Sequence, residues 1–265
     1  MEDNIKEYIE SLEKPRISIV MQSFLGDYPG SRFDSLGKFR RAIRSFENQT
    51  YKNCELIIVA DGCNKTHQIY NREFKNNPNI RFVFLDRDKD EEPATYNTIE
   101  HNGDHYKIYR GEARALGVAA ATGKLITYMD SDDYLTPEFT QTLLLIYNQS
   151  KEKQWWLNKT WYDNQVSNFE AGEIFSESME NQPNVQLPYL PSLWKETKVR
   201  PDKMVMTPWL FMHRADCTSV KWRDTFGQVS EDVDFSKRFR EAYPKGLVYE
   251  RPIYVRCHYP DMWDI

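Results

Sequence analysis

Apolar residues recur along this chain at two periods. Ile17-Ser18-Ile19-Val20-Met21 is a short β-branched run that stops at polar Gln22 and Ser23, and Glu55-Leu56-Ile57-Ile58-Val59-Ala60 is a second, closed by Asp61-Gly62. Both predict buried strands. Between them Leu36, Phe39, Ile43 and Phe46 fall at steps of three, four and three, which places one apolar stripe on a helix whose other faces carry Lys38, Arg40, Arg41 and Arg44. Strand, helix and strand in that order predict a β-α-β unit. Ile80 to Leu85 predicts a third strand, alanine-rich Gly111 to Ala121 a helix stopped by Gly123 in a C′ role, and Leu125 to Met129 a fourth strand. Thr136-Pro137-Glu138 then has the cap, first-turn proline and early acid of a further helix. Such alternation implies an α/β fold, a mainly parallel Rossmann-like sheet flanked by helices.

After about residue 150 the periodicity loosens, and Glu170 to Lys203 reads as a loop-rich segment lying over a site. All seven tryptophans (155, 156, 161, 194, 209, 222 and 263) lie in this C-terminal half. The chain is 40% hydrophobic and 28% charged, which excludes a disordered or fibrous protein. A net charge of −5 argues against a general polyanion binder, while leaving room for a local basic face. The start is acidic with no apolar core of a secretory signal, and no apolar run approaches the roughly 20 residues of a membrane span. A soluble, cytoplasmic protein with four free thiols is therefore expected, and its four N-x-S/T sequons are taken as chance.

In parallel sheets ligands bind beyond the carboxyl ends of the strands. Ser23, Asp61 and the run Asp130-Ser131-Asp132-Asp133 each follow a predicted strand directly and so share that edge. No G-x-G-x-x-G follows the first strand and no P-loop occurs, so phosphates must be held in another way. Three carboxylates within four residues repel one another unless a cation or solvent offsets them. A hard divalent ion, Mg²⁺ or Mn²⁺, is the natural partner. The alternative is a solvated turn whose acids cap the next helix. Glu231-Asp232-Val233-Asp234 forms a second cluster just before a helix marked by Phe235 and Phe239. Its acids suit either a general base or complementation of the helix dipole.

Asn48-Gln49-Thr50-Tyr51, the strand into Asp61-Gly62, Ala113-Arg114, Ala121-Thr122-Gly123, Asp130-Ser131-Asp132-Asp133 and Glu231-Asp232-Val233-Asp234 occur in an informative order. Together, over roughly Ile17 to Phe239, they resemble the family 2 glycosyltransferases of the GT-A fold. The resemblance implies one glycosyltransferase domain over 1–265, with a nucleotide-sugar donor half at about 1–135 and an acceptor half with the base at about 136–265. It implies that Ser23, the adjacent Phe24 and Asp61 meet the nucleobase and ribose, with Arg114 near the nucleotide. Asp130 and Ser131 would approach the ribose or the metal, and Asp132 would ligate a Mn²⁺ or Mg²⁺ ion on the diphosphate. Asp232 would be the base of an inverting transfer, supported by Glu231 and Asp234, and His258 would complete the metal shell. Cys257-His258-Tyr259 serves equally as packing at a strand end.

Ala115 stands where the family commonly has asparagine, Ala60 replaces a frequent aspartate and Ser230 a usual glycine, departures that bear on single donor contacts. Gly26 to Arg32 lengthens the link after the first strand and is a candidate for donor or acceptor selection. The Q-x-x-R-W motif of processive members is absent, so one sugar per encounter is expected, from a nucleotide-sugar read as a UDP-sugar. The tryptophans either stack on sugars or bases, with Trp194 and Trp209 as acceptor candidates, or fill the core. Arg40, Arg41 and Arg44 with Lys195, Lys198, Arg200 and Lys203 could form a basic strip. A bacterial glycan is the expected acceptor, and the hydroxymethylated bases of bacteriophage DNA are the alternative. A nucleotidyltransferase, a glycosidase and a non-catalytic sugar- or nucleotide-binding module are the rival classes.

Overall fold

The computed structural model describes residues 11–25, 35–86, 98–101, 104–107, 110–164, 194–198, 210–223 and 231–257. Strands β1 (Ile17–Ser23), β2 (Cys54–Asp61) and β3 (Ile80–Leu85) alternate with helices α1 (Ser35–Glu47) and α2 (Asn64–Glu73). A two-stranded ribbon, β4 (Thr98–His101) and β5 (Asp104–Lys107), precedes α3 (Arg110–Ala120), β6 (Leu125–Asp130), β7 (Tyr134–Leu135) and α4 (Phe139–Gln149). The second half contributes β8 (Trp155–Asn158), β9 (Thr160–Asn164), β10 (Trp194–Lys198), β11 (Phe211–Arg214), α5 (Glu231–Ala242), β12 (Gly246–Tyr249) and β13 (Tyr254–Cys257).

The main sheet has the order β12-β8-β11-β6-β1-β2-β3, and only β11 runs against the others. The second half thus completes the sheet begun by the first. The unbroken apolar runs of β1 and β2 are explained by burial on both faces, since Ile17, Ile19, Met21 and Leu56 to Ala60 are all solvent-inaccessible. A second sheet, β10-β9-β13-β7, stands beside it and joins the segment after β6 to the C-terminal strand. Among the described residues no helix is long and apolar enough to cross a membrane.

Two local expectations are corrected. Gly123 does not end α3 through a left-handed cap; among the described glycines only Gly62 has positive φ, at 62°. Gly123 is instead required by close approach, because a Cβ there would lie 2.6 Å from Ser18 Oγ and 2.7 Å from the Arg16 carbonyl oxygen. Likewise α4 begins at Phe139, and Thr136 turns its hydroxyl to the Ile253 carbonyl instead of capping the helix. The cap comes from far away in sequence: Gln49 Oε1 accepts from the Thr140 N–H at 2.9 Å and from its hydroxyl at 3.1 Å.

The tryptophans also divide. Trp155, Trp156 and Trp222 are buried and Trp161 packs against the core, so for these four filling the core is the main role. Trp194 begins β10, whereas Trp209 and His258 lie outside the described residues, as does most of Glu170–Lys203. Cys54, Cys63 and Cys217 are free and buried.

Candidate active site

Parallel pairing brings the predicted polar marks to one edge. Ser23 is in register with Ala60, one residue before Asp61, and Gln22 with Asp130. Ser23 itself is 2% exposed and its hydroxyl lies 3.3 Å from that of Thr66. The side chain that projects from this edge is Phe24, the one large hydrophobic exposed among the described residues, at 49%. Asp61 is partly exposed, and Gly62 after it bonds through its N–H to the Leu85 carbonyl, so the left-handed residue turns the chain away at the end of β2.

The acidic run forms a tight turn in which the Asp133 N–H meets the Asp130 carbonyl at 3.3 Å. Carboxylate oxygens of Asp130, Asp132 and Asp133 lie within 4.8 Å of one another. Asp130 and Asp132 are partly exposed and Asp133 is buried. Clustered hard oxygen donors with two members open to solvent fit a divalent cation. The turn is held by groups that local sequence did not single out. Arg41 Nη2 donates to the Asp132 carbonyl at 2.7 Å, with its guanidinium 5.0 Å above the Tyr134 ring. The Tyr254 hydroxyl donates to Asp133 Oδ2 at 2.8 Å and accepts from the Asp130 N–H at 3.1 Å. Burial, and after it the charges of Asp133 and Asp130, hold the Tyr254 phenol far above its ordinary pKa, so it stays a donor.

Gln49 supports the same region from behind. Its Nε2 donates to the Ser45 and Thr136 carbonyls at 2.9 and 2.8 Å, while Oε1 caps α4. With Thr50 N–H on the Pro137 carbonyl, this explains why the Asn48-Gln49-Thr50-Tyr51 segment matters physically: it fixes the chain leaving the acidic turn.

The second cluster is the first turn of α5 itself and does not precede the helix. Glu231 is buried and accepts from Arg114 Nη1 at 2.8 Å, while Arg114 Nη2 lies 3.7 Å from Asp130 Oδ1. One buried arginine therefore joins the metal-type turn to the helix of the candidate base. The Trp222 ring lies 5.1 Å from the same guanidinium and stacks on Phe235 of α5 at 3.8 Å. Asp232 is partly exposed, with Oδ1 accepting from the Val233 N–H at 2.8 Å. Asp234 is bound by both Arg223 and Arg238; burial opposes ionisation, but the two guanidiniums prevail and hold its carboxyl below the usual range. It fastens α5 to the Arg223 segment.

Behind Trp222 lies a buried polar chain. The Arg214 carbonyl only accepts, so His213 Nδ1 carries the proton at 2.9 Å, and Nε2 accepts from the Tyr128 hydroxyl at 2.8 Å. That hydroxyl accepts in turn from Trp222 Nε1 at 2.8 Å. Arg40, placed by sequence in a basic strip, is instead bidentate to Glu73, Arg41 is buried at the acidic turn, and Arg44 pairs with Glu47.

Residues 107–194, which carry α3, the acidic turn, α4 and β8, match the family model described as Glycosyl transferase family 2. Over that segment the chain is similar to the family. A Bacillus subtilis (strain 168) protein named "Putative glycosyltransferase EpsH" is 30% identical over 105 residues, 40% of this chain and 25% of its own length. Among solved structures, S. aureus TarS 1–349 superposes with a TM-score of 0.59 at 14% identity, over 91% of this chain and 60% of TarS 1–349. TarS 1–349 has also been solved with UDP-GlcNAc and with UDP. The mannosyltransferase PcManGT from Pyrobaculum calidifontis, in complex with GDP-Man and Mn²⁺, gives a TM-score of 0.50 at 10% identity, over 92% of this chain and 57% of that one. These likenesses are of fold, and the fold of this chain is GT-A. The chain spans about a quarter of EpsH and about 60% of TarS 1–349.

Proposed function

We propose that this chain transfers a single sugar from a UDP-sugar to a hydroxyl of a bacterial glycan, with inversion and with help from a divalent metal. The observation that carries the reading is Arg114, which lies between Asp130 of the acidic turn and Glu231 beside Asp232. It ties a cation-type carboxylate cluster to a carboxylate suited to act as base.

In this reading Phe24 and Asp61 receive the nucleobase and ribose, at the edge where the one large hydrophobic exposed among the described residues stands. TarS complexes with UDP-GlcNAc and UDP support a uridine donor. Asp132 and Asp130 would hold Mn²⁺ or Mg²⁺, and PcManGT with Mn²⁺ supports that choice. Such an ion neutralises negative charge on a departing nucleoside diphosphate. Asp232 takes the proton of the acceptor hydroxyl as its oxygen attacks the anomeric carbon from the face opposite the leaving diphosphate. Glu231, paired to Arg114, and Asp234, paired to Arg223 and Arg238, hold the first turn of α5, from which Asp232 would meet the acceptor. A glycan acceptor is favoured over DNA because Arg40, Arg41 and Arg44 are engaged within the protein.

The test is a thermal-shift and hydrolysis screen of UDP-, GDP-, CDP- and dTDP-sugars with and without Mn²⁺. A UDP-sugar with Mn²⁺ should raise Tm most, since a ligand that binds the native state stabilises it. Absence of stabilisation by every donor in the presence of metal would overturn the reading.

A further inference from the structure

Tyr254 belongs to neither acidic cluster, yet its single hydroxyl engages both ends of the Asp130–Asp133 turn, donating to Asp133 Oδ2 at 2.8 Å and accepting from the Asp130 N–H at 3.1 Å. A phenol has one proton to donate and lone pairs to accept with, so these two bonds use its capacity in opposite senses. The ring has little freedom to move away. Tyr254 is fully buried, its ring centroid is 6.4 Å from that of Phe139, and β13 pairs with β7 in the register Tyr254 to Leu135 and Val255 to Tyr134. Because β7 begins directly after Asp133, the strand pairing sets where the hydroxyl meets the turn. From α1, Arg41 holds the Asp132 carbonyl at 2.7 Å. Asp133 is 3% exposed with one oxygen committed to Tyr254, whereas Asp130 and Asp132 are partly exposed.

We propose that Tyr254 is a positioning residue for the metal turn, with Asp133 serving as its anchor and not as a ligand, so that Asp130 and Asp132 are presented to the cation. The inference rests on the metal-dependent reading above. Carboxylates crowded in one turn repel and splay unless they are tethered. A tether to a rigid strand places two of them beforehand, so that cation binding does not also have to order the turn.

The experiment measures Mn²⁺ binding to the full chain without donor, by the electron paramagnetic resonance signal of free Mn²⁺, together with hydrogen exchange of the Asp130 amide. Tyr254→Phe keeps the ring and removes the hydroxyl. It should weaken Mn²⁺ binding by roughly tenfold to a hundredfold and speed exchange at Asp130 while the rest of β6 stays protected. Asp133→Asn, which retains an oxygen to accept from Tyr254, should bind Mn²⁺ within a few-fold of the unsubstituted chain, while Asp132→Asn should lose it. Unchanged Mn²⁺ affinity in Tyr254→Phe, or loss of Mn²⁺ in Asp133→Asn equal to that in Asp132→Asn, would overturn the proposal. Failure of the metal reading itself is distinguishable, because the unsubstituted chain would then take up no Mn²⁺ and both ideas would fall.

Discussion

Arg114 and Glu231, 117 residues apart in sequence, form a buried ion pair at 2.8 Å with side chains 6% and 8% exposed. Breaking one side of such a pair leaves a charge in a poorly solvated site, which typically costs about 3–5 kcal/mol. Arg114→Ala should therefore lower unfolding free energy by about 3 kcal/mol or more. Arg114→Met combined with Glu231→Gln should recover much of that stability without recovering sugar transfer. Urea unfolding of the single and double variants checks this, and full independence of the two substitutions would refute a coupled pair.

Asp232→Asn isolates the base. Transfer should fall by about a hundredfold to ten-thousandfold, the usual range for general base catalysis. The Tm shift produced by donor and Mn²⁺ should persist, because the proposed role of Asp232 is toward the acceptor and not the donor. Transfer at the unsubstituted rate would remove Asp232 from the mechanism.

Gln49→Leu removes four hydrogen bonds, to the Ser45 and Thr136 carbonyls and from the Thr140 N–H and hydroxyl. A buried group left unpaired costs about 1–3 kcal/mol, so the variant should lose about 3 kcal/mol or more in denaturant unfolding. Hydrogen exchange should rise first at the start of α4. A loss below 1 kcal/mol would mean that the cap supplied by Gln49 is dispensable.

His213 makes stability pH-dependent. Burial is the leading cause that pushes its pKa down to about 4, against smaller opposing effects of the Arg214 carbonyl and Asp216. The unfolded chain takes up a proton near pH 6.5 and the folded chain only near 4, so between these values the unfolded state holds more protons. His213 thus has its full stabilising effect above about pH 6.5, and that effect is lost as pH falls toward 4, up to about 3 kcal/mol in all. Urea unfolding from pH 4 to 7.5 should show this slope, and His213→Gln should flatten it. An equal slope in the variant would assign the dependence to other groups.

Gly123→Ala tests the close approach of the turn after α3 to β1. Its Cβ would meet Ser18 Oγ at 2.6 Å and two backbone atoms, the Arg16 carbonyl oxygen and the Ser18 nitrogen, at 2.7 Å. Backbone atoms cannot step aside as a flexible side chain can, so a loss of about 1–3 kcal/mol is expected, read as a lower Tm. An unchanged Tm would show that the turn relaxes freely.

What was legible in sequence is what period and local chemistry encode. The buried runs of β1, β2 and β6 appear within about two residues of their ends because strands covered on both faces must be continuously apolar. The apolar stripe on α1 is equally plain, with Phe39, Ile43 and Phe46 buried. The carboxyl-edge site followed from topology alone, since parallel strands ending in polar residues must end together. The strand β7 and the tertiary cap of α4 were not legible, because two residues have no period and a cap supplied by Gln49 leaves no mark near Thr140.

Sequence by itself therefore determined the α/β architecture, the two acidic clusters and the family they resemble, because apolar period and short motifs are local properties. Only the tertiary structure decided what each polar residue does. Arg41, on a helix face that period assigns to solvent, holds the Asp132 carbonyl; Asp234 is taken by two arginines; and Tyr254, inside an unremarkable apolar strand, orders the acidic turn. The physical reason is that a buried polar group must find its hydrogen-bond partner wherever the fold brings one within about 3 Å, and for these residues that partner lies tens of positions away in the chain.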